Sequence, residues 1–361
     1  MLLAKKRGFI LFITSLLLLF STTACRDKKP AFNYSFLAFG TLIDLTIVNT
    51  THSEAVKAAD LIEKNFHRQH KQWHAWQQGE LKNINKLIAE SKPAKVPQEM
   101  IPLIKEGMRL SKETQGFFNP AIGKLIELWG FHGNINIIKE PPSPGAISYL
   151  LKKSPSMADL TLNGDKLSSQ NNAVQLDFGG YGKGYGVDLA IEELRRLGID
   201  NAIVNAGGDL HAIGSRGGTP WKIAIRRPSG AGVLATVNIR QNESVFTSGD
   251  YERFFMYKKQ KYHHIIDPRT GYPTTETKSV TVIHTDSITA DAAATALFIA
   301  GPDEWYPLAK AMGIKYVALV DKNNVLHVNP AMKERLNLLN KKVEMKVSKP
   351  LFIKKSLYER R

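Results

Sequence analysis

The chain has 361 residues, of which 43% are hydrophobic and 23% charged, a composition typical of globular proteins and unlike that of disordered chains. Its single cysteine, Cys25, excludes an internal disulfide framework and any metal site built from cysteines. Of the net charge of +16, residues 1–25 carry +3 and residues 333–361 carry +7, which leaves +6 for the 307 residues between them. The mildly basic body lacks the electrostatic footprint of a DNA-binding domain, so no nucleic-acid partner is expected.

The N-terminus has the pattern of a bacterial export signal. Lys5-Lys6-Arg7 precede an apolar run over residues 8–20, which is shorter than the roughly 20 residues of a membrane span, and small residues follow. Cys25 comes directly after them, at the position where a lipoprotein is cleaved and acylated. We therefore predict a lipoprotein signal over 1–25, a tether over 26–33 and a lipid anchor facing the periplasm or the cell exterior. An ordinary signal peptide or an uncleaved anchor is the alternative.

The predicted elements mix helices and strands without a regular alternation. Alternating apolar residues predict a strand over 35–48, broken at Gly40, and helical spacing predicts a helix from an N-cap at Ser53 to about residue 72. The further predicted helices cover 98–114, 121–129, 184–196, 288–300 and 303–312. The further predicted strands cover 174–178, 202–205, 221–226, 235–239, 245–247, 279–284 and 315–320. This order predicts an α+β fold with mixed, largely antiparallel sheets flanked by helices.

A glycine-rich stretch over residues 177–186 lies where a predicted strand meets a predicted helix. Such a junction presents backbone N–H groups and a helix N-terminus to an anion, and Lys183 adds a charge suited to phosphate. The stretch is not a P-loop, because Gly184 stands where Ser or Thr would bind Mg²⁺. A tight turn without a ligand is the structural alternative. Segments 205–209 and 247–251 also have glycines that let backbone approach a ligand closely.

Asp291 and Thr295 lie four residues apart at the start of a predicted helix, so their side chains share one face. A carboxylate and a hydroxyl both offer the oxygen ligands that Mg²⁺ prefers. The structural alternative is that Asp291 caps the helix and Thr295 packs against the preceding turn.

A polar loop over residues 262–273 contains His264, a candidate general base near neutral pH. Arg269 in the same loop either contacts phosphate or pairs with Asp267. Three further histidines fall at helical spacing, but they lack a nearby carboxylate, so a solvated or core-edge face is favoured over a zinc site; they are His67, His70 and His74.

Taken in order, these segments resemble the ApbE family, the FAD:protein FMN transferases. The resemblance runs from Phe39 to about Gly301, and its ordered set of motifs is more specific than any single one. The segments that carry it cover residues 39–41, 80–85, 116–123, 125–131, 177–183, 205–209, 247–251, 264–273 and 290–295. The chain departs from the family pattern at Phe39, where Met is common, at Asn119, where Asp is common, and at Tyr181-Gly182, where Ile-Ala is usual.

The resemblance implies an ApbE-like domain over 34–332, with a basic tail over 333–361 outside the match. It also implies an enzyme that, with Mg²⁺, transfers FMN from FAD to a threonine or serine hydroxyl of a target protein and releases AMP. The implied targets are extracytoplasmic flavoprotein subunits of membrane redox complexes. Two alternatives use the same residues: an FAD pyrophosphatase that yields FMN and AMP, and a lipoprotein that binds flavin without turnover.

By their positions in the family motifs, the side chains of Asp291 and Thr295 and the backbone carbonyl of Gly180 resemble the Mg²⁺ ligands. His264 resembles the histidine that activates the acceptor hydroxyl. The residues that resemble FAD contacts are Phe39, Trp76, Gly123, Asp177, Lys183, Gly208, Ser248 and His264, with Trp73 as the alternative to Trp76.

Overall fold

The structure is a computed structural model that describes residues 30–133 and 140–351. The predicted signal, its Cys25 and residues 26–29 of the predicted tether lie outside the described residues. Within the described ranges, none of the helices combines the length and the apolar character that a membrane span requires.

Eight α-helices lie within these ranges: α1 (His52–Trp73), α2 (Glu80–Ala89), α3 (Ile101–Glu113), α4 (Gly123–Leu128), α5 (Pro144–Lys153), α6 (Gly182–Arg196), α7 (Ser287–Ala311) and α8 (Pro330–Lys333). The strands of the first half are β1 (Ala31–Ala38), β2 (Thr41–Val48), β3 (Ala94–Lys95), β4 (Leu160–Asn163) and β5 (Lys166–Ser169). The strands of the second half are β6 (Ala202–Ala206), β7 (Asp209–Ile213), β8 (Lys222–Arg226), β9 (Val233–Asn238), β10 (Asn242–Gly249), β11 (Phe254–Tyr257), β12 (Gln260–His263), β13 (Thr277–His284), β14 (Tyr316–Asp321), β15 (Leu326–Val328), β16 (Asn337–Leu338) and β17 (Met345–Val347).

A nine-stranded sheet organises the fold, in the order β1-β2-β6-β7-β10-β13-β14-β15-β17. Its neighbouring strands in the described chain run antiparallel, except that β15 and β17 are parallel. The smaller sheets are β16-β9-β8, β3-β5-β4 and the hairpin β11-β12. The prediction of an α+β fold with largely antiparallel sheets is therefore confirmed.

Two hydrophobic cores cover the two faces of the large sheet. On one face, helices α1, α6 and α7 bury side chains such as Ile43, Leu45 and Ile47 completely, and each such side chain contributes about 1.5–3 kcal/mol of burial energy. On the other face, the sheet β16-β9-β8 buries a second core that includes Trp221. A third core, around Trp129, joins α4 and α5 to the β11-β12 hairpin. This layering places the starts of α6 and α7 together on the helical face of the sheet.

The predicted strand over 35–48 is two strands, and the predicted break is confirmed at the turn formed by Phe39 and Gly40. The predicted break between helices 288–300 and 303–312 is also confirmed, because Gly301 has a φ of +69° inside α7. The prediction that Ser53 caps the first helix is wrong. Thr51 is the N-cap, since its side chain accepts the N–H of Glu54 while Glu54 bonds back to the N–H of Thr51.

The predicted strand over 174–178 does not form, although its alternating apolar residues are buried. Within it, Gln175 makes one isolated bridge with Ile122, and the N–H of Asp177 donates to the carbonyl of Pro120. The N–H of Leu176 donates instead to the side chain of Asn85, at 2.7 Å. The segment therefore bonds to a loop and to a side chain of α2 rather than to a neighbouring strand.

The predicted boundary between the domain and a basic tail at residue 333 does not coincide with a break in the fold. Strand β16 pairs with β9, and β17 pairs with β15 at the edge of the large sheet. Arg335 is nearly fully buried and forms two short bonds to the carboxylate of Glu243, both 2.7 Å long. Residues 333–347 therefore belong to the folded domain, because Arg335 pairs within it and Leu336, Leu338, Val343 and Met345 pack against the second core.

Candidate functional site

The N-termini of α6 and α7 meet at the centre of the candidate site. Helix α6 begins at Gly182, two residues before its predicted start, so Lys183 and Gly184 lie in its first turn. The N–H of Gly184 donates to Oδ2 of Asp291 on α7, at 2.9 Å. A Cβ at position 184 would lie 2.5 Å from the carbonyl oxygen of Ser287, so a glycine is required for the two helices to approach this closely.

Lys183 is a partly buried cation between two carboxylates, with 24% of its side chain exposed. Its Nζ lies 2.6 Å from Oδ2 of Asp209 and 3.5 Å from Oδ1 of Asp291. Burial by itself would lower the pKa of Lys183, but Asp209 and Asp291 outweigh it and hold this pKa above its ordinary value. Burial raises the pKa of Asp291 to about 7, and the nearby charge of Asp209 acts in the same direction. Two carboxylates facing one lysine leave negative charge without a partner, and this charge favours the binding of a further cation.

Hydroxyl groups lie beside this charged cluster. Thr295 is one turn after Asp291 on α7, and its Oγ1 lies 3.2 Å from Oγ of Ser248 on β10. The backbone of Gly180 borders the same hydroxyl, since a Cβ at position 180 would lie 3.9 Å from Oγ1 of Thr295. The structure therefore brings together Asp291, Thr295 and Gly180, the three predicted metal ligands, with Lys183 and Ser248.

This donor set fits Mg²⁺ when a substrate supplies further oxygens. It offers one carboxylate, one or two hydroxyls and a backbone carbonyl, all of them hard oxygen ligands. In the described part of the chain, no three His, Cys, Asp or Glu side chains converge as a self-sufficient metal cluster. Mg²⁺ is commonly held in this way by one or two carboxylates together with the phosphates of its substrate.

Asp177 and His264 lie around Arg253, at the border of the cluster. Oδ1 of Asp177 accepts the N–H of Gly179 at 2.8 Å, and burial raises the pKa of Asp177 while Arg253 acts against this rise. His264 directly follows β12, and its Nδ1 lies 3.3 Å from the carbonyl oxygen of Arg253. A carbonyl only accepts hydrogen bonds, so Nδ1 carries the proton and Nε2 keeps its lone pair.

The same surroundings keep His264 uncharged. Burial and the charge of Arg253 lower the pKa of His264 to about 3, with smaller contributions from His263 and Lys183. No local sequence pattern marks Arg253, because it is an arginine directly before a short strand. Only the packing of the β11-β12 hairpin brings it near both His264 and Asp177.

The predicted aromatic contacts occupy two neighbouring positions. Phe39 has a φ of +52°, donates its N–H to Nδ1 of His70 at 3.1 Å, and stacks on Trp73 with ring centroids 5.6 Å apart. Trp73 is buried, whereas Trp76 is half-buried and packs against His132 at 5.1 Å. Trp76 is therefore the more accessible of the two candidate tryptophans.

Two predicted glycine contacts have clear backbone requirements. A Cβ at Gly123 would lie 2.6 Å from the carbonyl oxygen of Gln175, to which the N–H of Gly123 donates. Gly208 has a φ of +103° in the turn between β6 and β7, directly before Asp209. Both positions therefore have a structural reason to be glycine, and their contact with FAD stays a prediction.

The remaining candidate side chains pair within the protein. Arg269 forms ion pairs with Asp267 and Glu304, at 2.9 and 3.0 Å, so the alternative that it pairs with Asp267 is the one observed. In the predicted histidine group, Nδ1 of His74 accepts the N–H of Trp76 at 3.2 Å. Nδ1 of His70 likewise accepts the N–H of Phe39.

A cavity of about 940 Å³ lies elsewhere, and no predicted site residue lines it; its lining includes Arg195, Gly214, Asn238, Arg240 and Glu334. The chemistry is therefore concentrated at the two helix N-termini rather than in this cavity. A lysine at a helix start, together with carboxylate and hydroxyl oxygens that suit a divalent cation, fits a phosphoanhydride substrate.

Comparison with known proteins identifies the family. The ApbE family model matches residues 39–318, and the chain belongs to this family. An "FAD:protein FMN transferase" of Rhodobacter capsulatus is 37% identical over 311 residues, which is 85% of this chain and 58% of that protein's length. A protein of the same name from Haemophilus influenzae is 27% identical over 84% of this chain and 90% of its own length.

Solved structures agree with this assignment. The ApbE protein of Thermotoga maritima superposes with a TM-score of 0.78 at 30% identity, over 85% of this chain and 99% of the other. The flavinyl transferase ApbE of Pseudomonas stutzeri, in its apo form, gives a TM-score of 0.75 at 28% identity, over 85% and 97% of the two chains. The family resemblance stated from the motifs is confirmed.

Proposed function

We propose that this chain is an FAD:protein FMN transferase that modifies a threonine or serine hydroxyl of a target protein. The hydroxyl oxygen attacks the FMN phosphorus, the bond from that phosphorus to the bridging oxygen of FAD breaks, and AMP leaves. Membership of the family and the names of its relatives support this activity. The single structural observation that carries it is Lys183, held between Asp209 and Asp291 at two helix N-termini.

Positioning and charge neutralisation account for most of the catalysis in phosphoryl transfer. Lys183, in the first turn of α6, binds the pyrophosphate of FAD through its ammonium group, and Asp209 keeps that group in place through a 2.6 Å ion pair. Asp291, Thr295 and the carbonyl of Gly180 would hold Mg²⁺. When bound there, the ion would supply positive charge to neutralise the pyrophosphate oxygens and departing AMP.

His264 acts as the general base of this proposal. Its Nε2 accepts the proton of the acceptor hydroxyl, while Nδ1 stays fixed on the carbonyl of Arg253. In the free protein burial, together with the nearby charge of Arg253, holds its pKa far below neutral, which makes it a weak base. The negative charge of bound pyrophosphate opposes the charge of Arg253 and raises this pKa, so His264 is a stronger base when substrate is present.

The proposal places this reaction outside the cytoplasm. The basic start, the apolar run and Cys25 support an acylated anchor on the cell-envelope side of a membrane. The acceptors are then extracytoplasmic flavoprotein subunits of membrane redox complexes. A second candidate function, hydrolysis of FAD to FMN and AMP, uses the same groups with water in place of the hydroxyl, and the partial exposure of His264 favours it as the rival.

The experiment is complementation of a deletion strain of the organism that encodes this chain. Wild type should restore protein bands that keep flavin fluorescence in denaturing gels, and Asp291→Ala should not restore them. Bands that persist in the deletion strain would contradict the proposed activity. Fluorescent bands restored equally by Asp291→Ala would contradict the assignment of the metal site.

A further inference from the structure

The first turn of α7 is capped by a residue of a different helix. Asp286 stands at the N-cap position, but its side chain makes no capping hydrogen bond to this turn. The carboxylate of Asp188, on α6, replaces it: Oδ1 accepts the N–H of Ser287 and Oδ2 accepts the N–H of Ile288, each at 2.9 Å. Two of the backbone donors that a helix start leaves without partners are thereby satisfied from α6.

The capping between the two helices is reciprocal. Asp188 of α6 accepts from the start of α7, and Asp291 of α7 accepts the N–H of Gly184 at the start of α6. On each helix the N–H donor and the aspartate lie about one turn apart. The two helices are therefore joined by hydrogen bonds at two levels along their axes. Gly184 stands at the contact, where any side chain would collide with α7 backbone. Axial movement of one helix against the other would break bonds at both levels.

A buried histidine, His211, lies beside the capped start of α7 and connects it to the central sheet. Nδ1 of His211, on β7, lies 3.3 Å from Oδ1 of Asp188 and 2.8 Å from Oγ of Ser287. Nε2 of His211 donates to Oδ1 of Asn242 on β10, at 2.8 Å. His211 is almost completely buried, so this chain of bonds ties the cap to the central sheet.

We propose that Asp188 is a positioning residue of the metal and pyrophosphate site. It fixes the axial position of α7 against α6, and thereby sets Asp291 and Thr295 opposite Lys183 and the Gly180 carbonyl. It acts through α7 and touches neither substrate nor metal. The inference rests on the proposed function, because the axial position of α7 matters for activity only if these groups hold Mg²⁺ and FAD.

The test measures binding rather than transfer. Titration calorimetry of FAD at a series of Mg²⁺ concentrations gives the Mg²⁺ concentration at half-maximal FAD binding, without any acceptor protein. Removing a partner that orients a metal ligand typically costs 10- to 100-fold in metal affinity. We therefore expect Asp188→Ala to raise this concentration about 10- to 100-fold. Asp188→Asn should fall between Ala and wild type, because its amide oxygen replaces only one of the two acceptors.

Two control variants separate positioning from loss of charge and from general destabilisation. Glu192→Gln removes the same charge from an exposed position of α6, one turn after Asp188. Leu194→Ala removes a fully buried side chain from α6 without touching the cap. Both variants should leave the Mg²⁺ concentration at half-maximal FAD binding unchanged, although Leu194→Ala lowers the unfolding temperature.

The inference would be overturned if Asp188→Ala required the same Mg²⁺ concentration for FAD binding as wild type. It would also be overturned if Leu194→Ala raised this concentration as much as Asp188→Ala does. If the alanine variant does not fold, Asp188→Asn decides in the same way. A wild-type protein that binds FAD with Mg²⁺ but never modifies an acceptor refutes the proposed function alone. A wild-type protein that transfers FMN while its Asp188 variants bind normally refutes this inference alone.

Discussion

The close contact between α6 and α7 makes Gly184→Ala an informative substitution. The added Cβ would lie 2.5 Å from the carbonyl oxygen of Ser287 and 2.8 Å from Cα of Ile288, whereas ordinary contacts begin at 3.4 Å. Both neighbours are backbone atoms, so no side-chain rotation relieves the collision. Restoring 3.4 Å to the carbonyl oxygen requires the helices to separate by about 0.9 Å.

The expected effects on stability and on function differ in size. Overpacking of this kind costs about 1–3 kcal/mol, and alanine in place of glycine in a helix returns about 1 kcal/mol. The net loss of unfolding free energy is therefore about 0–2 kcal/mol. The same movement carries Asp291 and Thr295 away from Lys183, and a misplacement of about 1 Å in an active site costs on the order of 100-fold in rate.

The assay compares urea unfolding with the rate of FMN transfer and with Mg²⁺-dependent FAD binding. Gly145→Ala is the matched control, because position 145 lies in the first turn of α5 with no neighbouring atom within 4 Å. That control should be neutral or more stable by up to about 1 kcal/mol, with wild-type activity. If Gly184→Ala transfers FMN within threefold of the wild-type rate, the requirement for close helix contact is refuted.

Three further predictions follow from the charges of the site. The raised pKa of Asp291, about 7, means that the native state holds a proton that the unfolded chain releases near pH 4. The metal-free protein therefore loses stability as pH rises from about 4 to 7, and Asp291→Asn should make it more stable at pH 8 in thermal unfolding. Lys183→Met leaves buried carboxylates unpaired and should cost about 3–5 kcal/mol in urea unfolding. Arg253→Gln should raise the pKa of His264, followed by its imidazole NMR signals.

Each of these predictions has a contradicting outcome. An Asp291→Asn protein less stable than wild type at pH 8 would show that the carboxylate is well compensated without metal. A Lys183→Met protein with wild-type stability would place the lysine outside the buried cluster. An unchanged titration of His264 in Arg253→Gln would remove Arg253 from its surroundings.

Local sequence patterns account for the parts of the fold that depend on neighbours along the chain. Gly40 and Gly301 mark real breaks because both have positive φ, which glycine tolerates best. Residues 174–178 alternate like a strand, yet their N–H groups bond to the loop before α4 and to Asn85. Periodicity reports which side chains are buried, but it does not report which backbone groups pair.

The same distinction separates the predicted and the missed parts of the site. Asp291 and Thr295 could be paired from their spacing, since residues four apart share a face of a helix. Asp188 and Arg253 come to the site from a second helix and from a hairpin. Asp188 bonds to Ile288, 100 residues away in sequence, and Arg253 bonds to His264, 11 residues away. Tertiary packing creates these contacts, and no local spacing predicts them.

The central claim is transfer of FMN from FAD to a protein hydroxyl, and intact-mass spectrometry tests it most directly. The purified chain is incubated with FAD, Mg²⁺ and a flavin-carrying acceptor domain, with Asp291→Ala as the matched inactive variant. We expect the acceptor to gain the mass of one FMN on a threonine or serine, with one AMP released for each modification. Asp291→Ala should produce neither. Consumption of FAD to free FMN and AMP with an unmodified acceptor would contradict the claim and identify a pyrophosphatase.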